Sequence, residues 1–233
     1  IPKLIPRTHD DYLYSVIRSN EVCGVTADTV YLATLPVANN FPMSSPGILG
    51  ALYAGGTVAL TESPSPSVAW QMVERAGVTM TGLVPPLARL WTETAEAGTD
   101  FDLSTLDTVL VGGARCPDEL ARRIGPALGV TLQQVFGMAE GLVCYTRLDD
   151  PEEVITSTPG RPMSEADGLR LVTEDGGIVS VGPGFLETQG PYTIRGYWAG
   201  RSPESFAPDG WYRTGDVVEL TAEGNMLVRG RGG

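Results

Sequence analysis

The chain has 233 residues, 42% of them hydrophobic and 19% charged, a composition that fits one large globular domain or two small ones and argues against disorder. Lysine and arginine number 16 against 28 aspartates and glutamates, a net charge of −12 without any basic block, which argues against a nucleic-acid partner. Apolar runs such as Val109-Leu110-Val111 fall far short of the ~20 residues that cross a bilayer, no signal-peptide pattern opens the chain, and Cys23, Cys116 and Cys144 have no metal-ligand spacing and cannot all pair, which suits a reducing cytoplasm.

The first part of the chain alternates short apolar runs with amphipathic ones, the pattern of an α/β fold with a mixed or parallel sheet layered with helices. Runs rich in β-branched or aromatic residues at Thr29 to Leu35, Thr57 to Leu60, Thr79 to Val84, Thr108 to Val111 and Leu132 to Phe136 predict buried strands. GILGALYAGG, from Gly47, predicts a helix. Ser67 to Ala76 and Pro85 to Glu96 carry apolar residues at helical spacing, and Pro117 to Leu128 opens on a proline and an acidic pair, as helix first turns do. After Asp149-Asp150-Pro151 glycine and proline punctuate the short runs LRLV, GFLET, YTIRGY, VVEL and NMLV, which predict a small antiparallel barrel or sheet. The expected organisation is an α/β unit over 1–150 and a β-barrel-like unit over 151–233.

Several segments could carry chemistry. His9, followed by Asp10, could be oriented as a general base, although at a helix start it reads more simply as a capping and packing residue. Gly112 to Arg115 (GGAR) follows a strand and precedes a helix, where an open parallel sheet places its ligand crevice, or serves only as a turn. Gln133 to Gly141 (QQVFGMAEG) repeats the arrangement, with one carboxylate, Glu140, suited to a hard metal such as Mg2+ bridging to phosphate or to plain solvation on a helix face. Tyr212 to Asp216 (YRTGD) places a carboxylate after a Thr-Gly turn, as ribose-binding sites do. Asn39 to Gly47 (NNFPMSSPG) combines amides, an aromatic ring and hydroxyls, which could line a small pocket or form a proline-rich loop capping a helix.

In this order the segments resemble the adenylate-forming ligase superfamily, and specifically its stand-alone aryl-acid adenylating enzymes, the 2,3-dihydroxybenzoate and salicylate AMP ligases of siderophore pathways. The stretches that carry the resemblance are PKLIPRTHDDY, NNFPMSSPG, GALYAGG, LVPPLA, VGGAR, LQQVFGMAEGLVCYTRLDDPEE, GPYTIRGYW and DGWYRTGD. The resemblance implies part of the N-terminal domain of such an enzyme. The chemistry it implies has two steps: a carboxylate attacks the α-phosphate of Mg-bound ATP to give an aryl-AMP and pyrophosphate, and a phosphopantetheine thiol of an aryl carrier protein takes the acyl group. It further implies that Gly113, Ala114, Val135, Phe136, Gly137 and Met138 line the nucleotide slot, that Asp216 and Arg231 reach the ribose, and that Glu140 holds Mg2+. Asn40, Phe41, Ser45, Ala114, Val135, Ala139 and Val143 fall where such enzymes line the aryl-acid pocket. Ser45 and the small Val143 leave room for a 3-hydroxyl, a modest tilt towards 2,3-dihydroxybenzoate.

Departures from the pattern accompany the match. Asn39 stands where these enzymes usually carry a histidine near the phosphates, keeping a donor but no positive charge, so no catalytic residue is assigned. The Ser/Thr/Gly-rich phosphate loop and the C-terminal domain with its lysine have no counterpart in these 233 residues, and Gly232-Gly233 replaces the Ala-Lys of the usual hinge. The chain therefore reads as a central piece of a larger cytoplasmic enzyme, inactive by itself. An aryl-CoA ligase and a non-catalytic aryl- or nucleotide-binding remnant are the alternatives.

Overall fold

The computed structural model describes residues 3–232; Ile1, Pro2 of the PKLIPRTHDDY stretch and Gly233 of the expected hinge lie outside them. Helix α1 (His9–Cys23) begins on a capping box: the Thr8 hydroxyl accepts from the Asp11 amide, and the Asp11 carboxylate accepts from the Thr8 amide. Two donors that any helix start leaves unpaired are thereby satisfied. There follow β1 (Val30–Ala33), α2 (Asn40–Ser44), α3 (Gly47–Tyr53), β2 (Thr57–Leu60), α4 (Pro66–Ala76), β3 (Met80–Leu83), α5 (Pro85–Glu96), β4 (Thr108–Val111), α6 (Asp118–Leu128) and β5 (Thr131–Gly137). Proline opens α4 and α5, and Asp118 and Glu119 occupy the first turn of α6, where the missing N–H costs nothing and negative charge is favoured.

The chain continues through β6 (Val143–Tyr145), α7 (Glu152–Ser157), β7 (Arg161–Pro162), β8 (Gly168–Val172), β9 (Gly184–Gln189), β10 (Tyr212–Leu220) and β11 (Met226–Arg231). One sheet has seven strands in the order β2-β1-β3-β4-β5-β6-β7, parallel from β2 to β5 and antiparallel at β6 and β7. The first sheet thus runs beyond residue 150, to Pro162. The second sheet is antiparallel, in the order β11-β10-β9-β8, the form taken by the small barrel or sheet expected after residue 150. YTIRGY forms no strand; its Ile194 and Tyr197 join Tyr212 in a separate apolar cluster. YRTGD, read as a turn, is the start of β10.

Helices cover both faces of the first sheet, so β3 and β4 are buried at every position, the condition under which a parallel strand is apolar without alternation. Leu32, Val109, Val111 and Leu132 pack on Trp70, Trp91 and Ile124 of α4, α5 and α6. The neighbouring residues Tyr31, Ala33, Leu110 and Val135 face Cys23 of α1 and Ala51 of α3, as the two-residue period of a strand requires. Leu142 and Cys144, flanking Val143, pack against Leu171, Leu186, Val218 and Met226 and so join the second sheet to the first. Among the described residues no helix is long and apolar enough to cross a membrane.

The junction of the sheets has one backbone constraint. Gly160 has φ +74, its carbonyl accepts from the Met226 amide at 2.7 Å, and a Cβ there would overlap the Tyr145 carbonyl. Gly77, the C-cap of α4, has φ +63 with open space around it. Gly77→Ala is therefore expected to cost about 1–2 kcal/mol, the left-handed conformation alone, and Gly160→Ala about 3 kcal/mol or more. Urea unfolding of the two variants side by side measures the difference, and equal costs would show that the junction yields.

Candidate functional site

The carboxyl ends of β3, β4 and β5 lie side by side and are glycine-rich. Gly82 is on β3, Gly112 and Gly113 follow β4, and Gly137 ends β5. Gly113 turns the chain with φ +82, a conformation that favours glycine. Between these ends and the second sheet opens a cleft of about 560 Å³. It brings together Gly113, Ala114, Val135, Phe136, Gly137, Met138 and Glu140 from the first sheet with Asp216 and Arg231 from the second. Sequence reasoning gave no site role of their own to Cys116, Gln134, Ser157 to Pro159, Tyr212, Thr214 or Leu227 to Gly230, which also line it, although Gln134, Tyr212 and Thr214 fall inside the QQVFGMAEG and YRTGD segments. The signal that could have found the last group is the pairing of β11 with β10, since a hairpin partner of YRTGD shares its environment.

Glu140 lies in the hairpin turn between β5 and β6, where the Met138 amide donates to the Leu142 carbonyl and the Gly141 amide to that of Met138; it is not on a helix. The Tyr197 hydroxyl donates to its Oε1 at 2.7 Å and lies 3.1 Å from the Tyr212 hydroxyl. Burial pushes the Tyr197 phenol well above its usual range, so it remains a donor. Tyr197, Phe206 and Tyr212 contact one another through their ring edges and faces, and the Lys3 ammonium sits 4.7 Å from the Tyr197 ring centroid. Oε2 of Glu140 has no protein partner among the described residues.

Asp216 is turned into the cleft by an irregularity of β10: its register against β9 shifts between Arg213 and Val217, and Gly215 has φ +78. Thr214 anchors the kink, donating to the Leu186 carbonyl at 3.0 Å and accepting from the Asp216 amide at 3.0 Å. Burial raises the Asp216 carboxyl, and Arg231, whose Nε lies 3.2 Å from Oδ1, opposes the rise. The Arg231 side chain is 76% exposed, so this pair is screened by water and weak. At the rim, Arg115 and Arg229 pair with Asp118 and Glu219.

The remaining sequence-predicted residues form a second group around α2. Asn39, exposed, precedes this helix without capping it. The Asn40 side chain is bonded by Tyr12. The Phe41 ring lies against Gly82 and Gly112: a Cβ on either would come 3.3 Å from Phe41 Cζ. Ser45 is buried and neighbours the Tyr145 hydroxyl, which Ser19 also bonds. Val143 packs on Gly137 and shares an apolar cluster with Phe41 and Val135. The Ala139 carbonyl accepts from Arg7 at 2.9 Å. Val135 is common to cleft and cluster, so it forms the partition between the two groups.

His9 is exposed at the first position of α1, where Thr8 is the cap, so it neither caps nor packs. The cysteines are free and buried, and burial pushes the Cys116 thiol up to about 11, which keeps it from acting as a thiolate. Among the described residues no group of three or more His, Cys, Asp or Glu could hold a metal by themselves.

A family model described as AMP-binding enzyme matches residues 1–198. The chain is 56% identical to a 2,3-dihydroxybenzoate-AMP ligase of Bacillus subtilis over 99% of its length and 43% of the relative's. It is 50% identical to a 2-hydroxy-7-methoxy-5-methyl-1-naphthoate–CoA ligase of Streptomyces carzinostaticus, over 99% of this chain and 42% of that one. The apo structure of Mycobacterium smegmatis MbtA superposes with a TM-score of 0.92 at 47% identity, covering 99% of this chain and 44% of that protein. The chain thus spans less than half the length of the relatives it matches.

Behind the Val143 wall, the Tyr192 hydroxyl accepts from the Val143 amide at 3.1 Å and donates to Asp167 at 2.7 Å. Burial pushes the Asp167 carboxyl up to about 6, against the opposing hydrogen bond from Tyr192. The folded chain therefore holds a proton that the unfolded chain has released, and stability falls as pH rises from about 4 to about 6. Asp167→Asn keeps an acceptor for Tyr192 and removes this loss. Its stability relative to the unaltered chain is expected to rise by on the order of 2 kcal/mol between pH 4 and pH 7, read by urea unfolding at the two values; a pH-independent difference contradicts it.

Proposed function

Because the chain belongs to the AMP-binding enzyme family, we propose that the intact protein carrying it activates a hydroxylated benzoic acid, 2,3-dihydroxybenzoate or salicylate, as its aryl-AMP and passes the acyl group to the phosphopantetheine thiol of an aryl carrier protein. The observation that carries this reading is the single cleft in which the glycine-rich ends of β4 and β5 meet a carboxylate at the β5–β6 turn and a second carboxylate on the kinked β10. Identity to the Bacillus ligase supports the choice of acid.

In this reading Gly113, Ala114, Val135, Phe136, Gly137 and Met138 flank the adenine, with Gly113 letting the backbone approach a flat ring. Asp216 accepts the ribose hydroxyls, with Arg231 beside it. Magnesium fits Glu140: one carboxylate oxygen is held by Tyr197 and the other has no protein partner, and Mg2+ is commonly bound by one or two carboxylates together with substrate phosphates. When bound, the metal supplies charge neutralisation on the phosphates. Asn40, Phe41, Ser45, Ala114, Val135, Ala139 and Val143 hold the aryl acid so that its carboxylate is in line with the α-phosphate, and rate arises from position and electrostatics without a protein nucleophile. Asn39 supplies a neutral donor near the phosphates. Ser45 favours a 3-hydroxyl only in the rotamer that leaves Tyr145. A CoA acceptor is the second reading, favoured by the identity to the naphthoate–CoA ligase.

The test is ATP–pyrophosphate exchange by the intact protein with 2,3-dihydroxybenzoate, salicylate and benzoate, followed by mass detection of thioester on a carrier protein or on CoA. Exchange stimulated by the hydroxybenzoates is expected, and none with any of the three acids overturns the reading. Asp216→Ala removes hydrogen bonds to a charged group, worth about 1.5–3 kcal/mol. It is expected to raise the KM for ATP roughly ten- to hundredfold and to leave the KM for the acid within about threefold.

A further inference from the structure

Tyr197 stands behind the wall of the cleft. Glu140 and Tyr212 line the cleft and Tyr197 does not, yet Tyr197 is bonded to both. Its hydroxyl proton has two acceptors in reach, Glu140 Oε1 at 2.7 Å and the Tyr212 hydroxyl at 3.1 Å. The contact to Glu140 is the shorter and its acceptor is charged, which makes it the stronger, so the proton goes there. Both phenols are buried, which keeps water from competing for the bond. The backbone around Glu140 is held as well. Arg7 Nη1 donates to the Ala139 carbonyl at 2.9 Å, and the Ile194 amide donates to the Glu140 carbonyl at 2.8 Å. At Gly141 a Cβ would come 2.7 Å from Thr193 Cα, so the turn sits directly on that segment. With the turn seated and Oε1 bonded behind the wall, Glu140 has one oxygen, Oε2, to offer the cleft.

A divalent cation distinguishes one offered oxygen from two. Mg2+ demands near-ideal octahedral geometry, keeps several waters and is served by single carboxylate oxygens beside phosphates, whereas Ca2+ takes roughly 6–8 oxygens in flexible geometry and accepts both oxygens of one carboxylate. We infer that Tyr197 is a positioning residue that sets the cation preference of the cleft: by occupying Oε1 it restricts Glu140 to ligation through one oxygen and so favours a small octahedral cation over a larger one. The inference rests on the nucleotide and metal reading above and adds a residue that touches neither group. Its consequence is a change of selectivity in Tyr197→Phe, where Oε1 is released and the carboxylate can give both oxygens, without a general loss of binding.

The experiment is calorimetric titration of the intact protein, and of its Tyr197→Phe, Glu140→Gln and doubly substituted forms, with α,β-methylene-ATP, which cannot release pyrophosphate. Each titration is made in saturating Mg2+ and in saturating Ca2+, with AMP as the control that needs no metal. The unaltered protein is expected to bind the Mg2+ complex more tightly. In Tyr197→Phe the ratio of the two affinities should fall about tenfold, the worth of one hydrogen bond to a charged group, with AMP affinity held within twofold. In the Glu140→Gln background the same substitution should leave the ratio unchanged, because the carboxylate through which Tyr197 acts is gone. An unchanged ratio in Tyr197→Phe, equal weakening of both complexes, or the same shift with and without the carboxylate overturns the inference. Failure of the unaltered protein to bind the analogue with either metal overturns the proposed function and this inference with it, whereas equal affinity for the two complexes overturns this inference alone. Should Tyr197→Phe not fold, infrared difference spectra of the unaltered protein against Glu140→Gln decide. The Glu140 carboxylate bands are expected to report ligation through one oxygen with Ca2+ as with Mg2+, and ligation of Ca2+ through both oxygens overturns the inference.

Discussion

The site depends on a close approach made at two glycines. The Phe41 ring lies against β3 and β4 at Gly82 and Gly112, and a side chain at either position would meet it, with Val135 also 3.1 Å from a Cβ at 112. Seating the ring there brings α2 down onto the carboxyl end of the sheet. Asn40 then meets Tyr12, Ser45 is buried beside Tyr145, and the apolar cluster runs unbroken from Phe41 through Val135 to Val143. Complete burial of a phenyl ring contributes about 1.5–3 kcal/mol, and Phe41 is only partly buried, so the seat is modest against the whole fold, but its geometric consequence reaches Asn40, Ser45, Val135 and Val143.

The cleft has a different origin. The second sheet docks on the two residues flanking Val143 and leaves the carboxyl ends of β4 and β5 uncovered, so the cleft is a gap between the two sheets. Its polar groups come from irregularities: the hairpin turn carries Glu140, and the break in β10 register carries Asp216. Bulges and tight turns re-aim side chains that a regular ladder would hold perpendicular to the sheet. The cost is local, since Thr214 recovers the hydrogen bonds that the kink would otherwise leave unmade.

What the sequence made legible follows the same division. The strands Thr57 to Leu60 and Thr108 to Val111 match the observed β2 and β4 end for end: β4 because a run buried on both faces and bounded by loops carries its own signal, and β2, an edge strand exposed at Thr57 and Leu60, because its short apolar run lies between a glycine pair and a proline-rich loop. Nine of the residues that line the cleft were legible too, since they lie on or beside strand ends and turns marked by glycine. YTIRGY was misread because its Tyr192, Ile194 and Tyr197 serve burial in two apolar clusters without any ladder, and a short apolar run reports burial, not pairing. YRTGD was read as a turn because Thr-Gly is turn chemistry, whereas here it is a kink inside a strand. Arg7, Tyr12 and Tyr197 were invisible as site residues: they act across 132, 28 and 57 positions, and no local pattern encodes such a contact.

Two of these long-range contacts share one form. Glu140 gives one oxygen to Tyr197, and Asn40 gives its oxygen to Tyr12. In each case one atom of a planar polar group is bonded to the protein and its partner atom is left over. A group so held loses its rotational freedom on folding and not on binding, and its free atom is already aimed when a ligand arrives. Both holders are phenols. Substituting either one therefore acts on the orientation of the carboxylate or amide it holds, while the free atom of that group stays chemically unchanged.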